Sequence, residues 1–233
     1  MGSKARFSKE ILPIILKDRR LEQWYVEPFA GGMNSICGVE GNRVANDIHY
    51  YLIEMWKKLT DGWIPEKISK EDYIEVRNNR EKYPPYLVGW IGFNCSYSGK
   101  WFGGFAGKVK TKTGAIRDYQ EEAIKNISNQ VKKMKGVIFQ NNHFYDLELK
   151  PNSIVYCDPP YKGTTKYAND FDHNLFYDWV RDIGNQGHTV FVSEYKAPAD
   201  FECVWQKQAK SSLSANGKIG GSKASVEMLF KLK

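Results

Sequence analysis

The chain has 233 residues, is 42% hydrophobic and 14% aromatic, and carries a formal net charge of +7 with a pI near 9.0. That length suits one domain, or one domain with an inserted subdomain, and the basic balance points to a polyanionic partner, most simply nucleic acid. No apolar stretch approaches the ~18 residues that a membrane span needs, and the N-terminal MGSKARFSKEILPIILKDRR lacks a signal-peptide pattern.

Residues 7–17 (FSKEILPIILK) predict a short helix capped by Ser8, with Pro13 awkward in its interior. The run 23-QWYVEPFAGG-32 reads as a strand that breaks at Glu27-Pro28 into a glycine turn, and residues 33–38 open a weak helix. A short strand at 43-RVANDIH-49 ends in Asp47. Ile48, Leu52, Met55, Trp56 and Leu59 then recur at helical spacing. Strand, turn, helix, strand, helix is the opening of a parallel α/β sheet.

Between about residues 60 and 116 the pattern changes. The stretch 83-YPPYLVGWIGFNCSYSGKWFGGFAGKVKTKTG-114 is rich in glycine and aromatics and keeps no clean period, which predicts an inserted, loop-rich subdomain. Its tail alternates Lys108, Lys110 and Lys112 with small residues. That suits a phosphate-contacting loop or hairpin, or an ordinary solvated hairpin. The α/β grammar returns with a helix over 118–135, capped by Asp118 and striped by Ala123, Ile124, Ile127, Val131 and Met134. Strands follow at 136–140, 153–157 and 188–194, with a helix in 173–183, and an antiparallel hairpin closes the chain at 200–208 and 224–232, joined by a Gly/Ser/Lys-rich loop at 214–223. The expected fold is α/β, a mostly parallel Rossmann-like sheet. Residues 1–60 and 117–233 form the catalytic domain, and 61–116 form the insertion. Cys37, Cys95, Cys157 and Cys203 are scattered without a C-x-x-C pair, as are the four histidines. Free thiols in a reducing cytosol are therefore expected, with no metal site.

In an open parallel sheet, ligands bind beyond the carboxyl ends of the strands. Three features fall there. In 27-EPFAGG-32, Glu27, Pro28, Phe29, Ala30, Gly31 and Gly32 form a turn where backbone can approach a ligand, but without the G-x-G-x-x-G spacing of a dinucleotide site. Asp47, about 20 residues on and followed by Ile48, stands where nucleoside-binding sheets place a ribose acid. It could equally cap the following helix. In 154-IVYCDPPYKG-163 the strand must end at Asp158-Pro159-Pro160-Tyr161, because paired prolines cannot join a ladder. That leaves a carboxylate and a phenol ring on a stiff turn.

The order VEPFAGG, ANDIHYYLI, insertion, VYCDPPY, VFVSEYKAP resembles the Dam-type DNA adenine-N6 methyltransferases over nearly the whole chain. The resemblance implies S-adenosylmethionine as cofactor and double-stranded DNA as partner, with no metal and no membrane, in a cytoplasmic, monomeric or weakly dimeric enzyme of bacterial or phage origin. Asp158, Pro159, Pro160 and Tyr161 are then catalytic. Lys4 in 2-GSK-4 lies near the methionine carboxylate, and Asp47 and Ile48 take the ribose side. His143 and Phe144 lie near the adenine, where the family often has an acid before the aromatic ring. Met33 stands where a glycine is common. Asn94, Tyr97, Ser98, Lys100 and Trp101 fall in the segment that resembles the recognition hairpin, with Lys108, Lys110 and Lys112 beyond it; Trp101 and Phe102 could instead form a small core. Rival readings are an RNA guanine-N2 methyltransferase and a catalytically inactive DNA-binding relative.

Overall fold

The computed structural model describes residues 5–111, 113–161, 171–210 and 224–233. Lys4, Lys112 and the 214–223 loop, all singled out from the sequence, lie outside the described residues. A seven-stranded sheet runs in the order β5-β2-β1-β6-β7-β9-β8. The strands are β1 (Tyr25–Glu27), β2 (Arg43–Asn46), β5 (Val137–Gln140), β6 (Ile154–Cys157), β7 (Thr189–Glu194), β8 (Phe201–Lys210) and β9 (Ala224–Leu232). The first five strands in this chain order are mutually parallel, while β9 pairs antiparallel with both β7 and β8. A separate ribbon pairs β3 (Lys108–Lys110) with β4 (Ile116–Asp118). The helices are α1 (Ala5–Ile15), α2 (Tyr50–Thr60), α3 (Lys70–Asn78), α4 (Pro85–Asn94), α5 (Tyr119–Val131) and α6 (His173–Asn185).

Strand alternation sorts the sheet residues between two cores. On one face Tyr25, Ala45, Tyr156, Phe191 and Leu229 join Ile11 and Ile15 of α1, Leu52, Ile53 and Trp56 of α2, Val88, Trp90 and Ile91 of α4 and Ile127 of α5. On the other, Val26, Val155, Cys157, Val190, Val192 and Phe230 pack on Phe176, Trp179, Val180 and Ile183 of α6. The central strands are thus buried on both sides, which is why β6 reads as an unbroken apolar run.

Three details differ from the sequence expectation. Ser8 does not cap α1: the helix begins at Ala5 and carries both Ser8 and Pro13 inside it. Burial of Phe7, Ile11, Leu12 and Ile15 outweighs the local penalty of the proline. Residues 33–38 supply only a 3-10 turn at Ile36–Gly38. Ile48 precedes α2 and is 61% exposed rather than part of its buried stripe.

The segment expected to be loop-rich holds two full helices. A capping box starts α3: the Ser69 hydroxyl accepts from the Asp72 amide, and the Asp72 carboxylate accepts from the Ser69 amide. Pro85 opens α4, whose residues Val88 to Phe93 are all buried. A helix buried on all sides has no polar face, so its sequence shows no period. Gly89 allows α4 to cross α2 closely; a Cβ there would stand 2.1 Å from the Tyr51 carbonyl oxygen.

Candidate active site

The strand order reverses between β1 and β6, the two strands beside which open α/β sheets bind ligands. Register aligns Val26 with Val155, Glu27 with Ala45, and Cys157 with Val192. The Glu27–Gly32 turn, Asp47 and Asp158 therefore leave the sheet along the same carboxyl edge.

Glu27 lies below that edge, 3% exposed, and accepts a 2.8 Å hydrogen bond from the Tyr25 hydroxyl. Burial pushes its pKa up to about 8, against the Tyr25 bond, and the nearby Asp158 charge adds to the rise. Glu27 thus holds a proton near neutral pH, which spares Asp158 a buried like-charged neighbour. Phe29 turns the opposite way and packs its ring 5.4 Å from Phe144 and 5.7 Å from Phe176.

The turn itself is held by β2. The Asn46 side-chain Nδ2 donates to the Pro28 carbonyl (2.9 Å), and the Ala30 backbone amide donates to the Asn46 backbone carbonyl (2.8 Å). The Gly31 amide donates to Asp47 Oδ2 at 2.9 Å. Gly31 has φ +47°, and a Cβ there would meet nothing within 4 Å, so the backbone faces open space. Met33, where the family often has glycine, has φ +56°. That left-handed conformation costs a non-glycine residue roughly 1–2 kcal/mol; here the fully buried Met33 side chain offsets it.

Asp47 accepts from two backbone amides. Its Oδ1 accepts at 2.9 Å from the amide of His49, the residue just ahead of α2, while Oδ2 holds the glycine turn. Burial raises its pKa, against the pull of these two amides. Each oxygen keeps a second lone pair for a ligand hydroxyl. Asn141 donates to the Asp47 carbonyl at 2.7 Å, and Asn142 exchanges hydrogen bonds with the Asn46 side chain. These asparagines escaped the sequence reading; each adjoins a strand end, which was the available signal. His143 is exposed and stacks on Tyr145 at 4.9 Å, whereas Phe144 is buried among Phe29, Phe171, Phe176 and Trp179.

At the end of β6, Pro159 is buried, while Asp158, Pro160 and Tyr161 are half-buried. The Tyr161 hydroxyl donates to Glu227 Oε2 at 3.2 Å, and its ring meets Tyr195 edge-on at 4.7 Å. Burial first, and then the Asp158 and Glu227 charges, hold this phenol in its protonated form. Glu227 and Tyr195 were not singled out beforehand. Glu227 lies on β9, whose register across from β7 only the folded sheet reveals.

Among the predicted nucleic-acid contacts, Asn94, Tyr97 and Ser98 line one polar hollow of about 380 Å³ together with Ser96, Gly99, Ala106, Arg117 and Tyr119. Lys100 is exposed beside this segment, and Lys108 and Lys110 are exposed on β3. Trp101 packs on His49, Tyr51, Phe93 and Phe102, and it lies against Gly92, so the core reading holds for Trp101 and Phe102. The four cysteines are free thiols, and the described residues contain no cluster of three or more His, Cys, Asp or Glu side chains fit for a metal. No helix among the described residues is long and apolar enough to cross a membrane.

Comparison with known proteins places this edge in context. A family model for D12 class N6 adenine-specific DNA methyltransferases matches residues 1–195. The chain belongs to that family, in agreement with the resemblance carried by its motifs. Type II methyltransferase M.FokI from Planomicrobium okeanokoites is 25% identical over 205 residues, 78% of this chain and 31% of that protein. Modification methylase StsI from Streptococcus sanguinis is 25% identical over 201 residues, 77% of this chain and 30% of that protein. The chain thus spans about a third of the length of these relatives. Among solved structures, a putative methyltransferase yhhF from Escherichia coli aligns over 97% of this chain and 84% of its own, at 12% identity and a TM-score of 0.40. A structure of SMU.472, a putative methyltransferase complexed with SAH, aligns over 98% and 52% at 10% identity and a TM-score of 0.39. Likenesses this loose carry no argument here.

Proposed function

We propose that this chain methylates the N6 amine of adenine in a specific duplex DNA sequence, with S-adenosylmethionine as donor. The observation that carries the proposal is the meeting of the glycine turn, Asp47 and the Asp158–Tyr161 turn at the β1/β6 reversal, in a member of an adenine-N6 methyltransferase family. The open space over Gly31 and the remaining lone pairs of Asp47 fit an adenosyl group. Asp47 and Ile48 would hold its ribose side, Phe144 and His143 would border its adenine, and Lys4 would meet its carboxylate. When bound, the cofactor supplies an electrophilic sulfonium methyl.

The protein's part follows from the chemistry of the amine. Its lone pair is delocalised into the base, so attack requires the nitrogen to pyramidalise. The Asp158 carboxylate and the Pro159 carbonyl can accept its two hydrogens, and the prolines keep both acceptors still as charge grows. A charged acceptor gives the stronger hydrogen bond and stabilises developing positive charge. In-line placement supplies much of the rate. The proton leaves after transfer, so a strong general base is not required. A duplex hides the amine, and extruding the base costs a few kcal/mol. Stacking on Tyr161, fixed by Glu227 and Tyr195, would recover roughly 1–3 kcal/mol. Residues 61–116 act as the target-recognition insertion in this reading. The enzyme works in the cytoplasm of a bacterium or a phage-infected cell as a monomer or weak dimer.

The test is transfer of a labelled methyl group to duplex DNA and, in parallel, to RNA, with nucleoside analysis of each digest. N6-methyladenine is the expected product, and N2-methylguanine in RNA would overturn the reading. Asp158→Ala should abolish transfer while the circular-dichroism spectrum and melting curve stay those of the wild type. Retained activity would remove Asp158 from the clamp.

A further inference from the structure

His49 stands where the carboxyl edge of the sheet meets the insertion, and the functional reading leaves its side chain unused. Its amide donates to Asp47 Oδ1 at 2.9 Å. Its ring meets two rings of the insertion edge-on, Trp101 at 4.4 Å and Phe93 at 4.8 Å. Tyr51, on α2, stacks on the same Trp101 ring at 5.5 Å, with 22° between the planes. Residues 47 to 51 therefore touch the glycine turn through Asp47 and the insertion through two side-chain rings.

This contact is poised rather than locked. His49 Nδ1 is buried and has no hydrogen-bond partner among the described residues. A buried polar atom left without a partner is destabilising. Burial also lowers the His49 pKa, so the ring is held neutral near pH 7. Trp101 is only partly buried and lies on Gly92, where a Cβ would stand 2.2 Å from its Cζ3. On either side of it, Ser98 has φ +56° and Phe102 has φ +43°, left-handed backbone that costs a non-glycine residue energy. Strain of this kind persists only where surrounding contacts over-determine it, and it collects at switch segments. Here Trp101, packed on His49, Tyr51 and Phe93, anchors the strained segment. That segment carries Ser98 and Lys100 and adjoins Tyr97, side chains that the sequence reading gives to nucleic acid.

Two sites thus share one contact. Hydroxyls bonded to the remaining lone pairs of Asp47 draw on the carboxylate that fixes the His49 main chain. DNA bonded to residues 97–100 acts on the segment that Trp101 anchors. A ligand at either end favours one arrangement of the contact, and by linkage the second ligand meets it already formed. We infer that the His49–Trp101 contact couples the two sites, with His49 a positioning residue through which methyl donor and duplex DNA bind cooperatively. The inference rests on the DNA reading above.

The test is calorimetric titration of S-adenosylhomocysteine into the free protein and into the protein saturated with a duplex that it methylates, with wild type, His49→Ala, His49→Phe and Trp101→Leu. In the wild type the duplex should tighten S-adenosylhomocysteine binding about five- to fiftyfold. His49→Ala keeps the amide that holds Asp47, so affinity in the free protein should stay within about threefold while the ratio of the two affinities falls to about 1–2. His49→Phe restores a ring without the orphan nitrogen and should keep the ratio. Trp101→Leu should lose it from the other side of the contact. His49→Leu, closer in volume, carries the same expectation as His49→Ala and replaces it if that variant does not fold. An unchanged ratio in either variant would overturn the inference. So would an equal loss of affinity in free and DNA-bound protein, which would place the His49 ring in the cofactor site itself. Absence of methyl transfer by the wild type would sink the functional reading, whereas a ratio near 1 in an active wild type would sink only the coupling.

Discussion

At the scale of the single residue, Glu27 shows how burial reassigns a side chain. The motif makes it look like a ligand contact, yet it sits under the turn, bonded to Tyr25, with its pKa raised to about 8 by desolvation. The folded state keeps this proton between about pH 4.5 and 8, where the unfolded chain releases it. Its contribution to stability is therefore full below about pH 4.5 and is lost as pH rises toward 8, by roughly 5 kcal/mol in all. Glu27→Gln should flatten that dependence: urea midpoints of the variant relative to wild type should climb between pH 5 and 8. Parallel curves for the two proteins would show that Glu27 ionises normally. Gly31 and Met33 show the converse, where backbone angle rather than side-chain chemistry explains the residue preference.

At the scale of the element, the sequence was clearest where a helix or strand carries its own signal. The Asp118 cap of α5 was legible because its carboxylate accepts from the Gln120 and Glu121 amides just ahead of an amphipathic stripe. The turn after β6 was legible because two prolines forbid continuation. Helix α4 was not legible, since both its sides are apolar and its place is set by α2. Gly89 marks that crossing. Gly89→Ala should cost at least about 1–3 kcal/mol in urea unfolding, since the new methyl would overlap the Tyr51 carbonyl and crowd Met55. A loss below a few tenths would mean that the helices slide apart freely.

At the scale of the whole molecule, positive charge and topology divide the work. The sheet gathers Glu27 and Asp47 with Asp158, which lies more than a hundred residues further along the chain, and the ribbon holds Lys108 and Lys110 out in solvent. If these lysines meet phosphates, Lys108→Gln/Lys110→Gln should lower the slope of log K against log salt by about 1–2 for duplex binding, with little change in base preference. A slope unaltered in the double variant would leave the ribbon an ordinary solvated hairpin.

The sequence by itself determined the strand ends, the chemistry placed on them and the family, because each motif is local: a glycine turn, an acid after a strand, an acid locked between a strand and two prolines. The tertiary structure alone decided where each of those side chains lies. Glu27 and Phe29 went inward, Asp47 took the Gly31 and His49 amides, and Tyr161 gained Glu227 from the far hairpin and Tyr195 from the end of β7. Arg117 came to stand beside Asn94 and Tyr97. Those outcomes depend on cross-strand register and on burial from distant elements, neither of which is written in any short window of the chain.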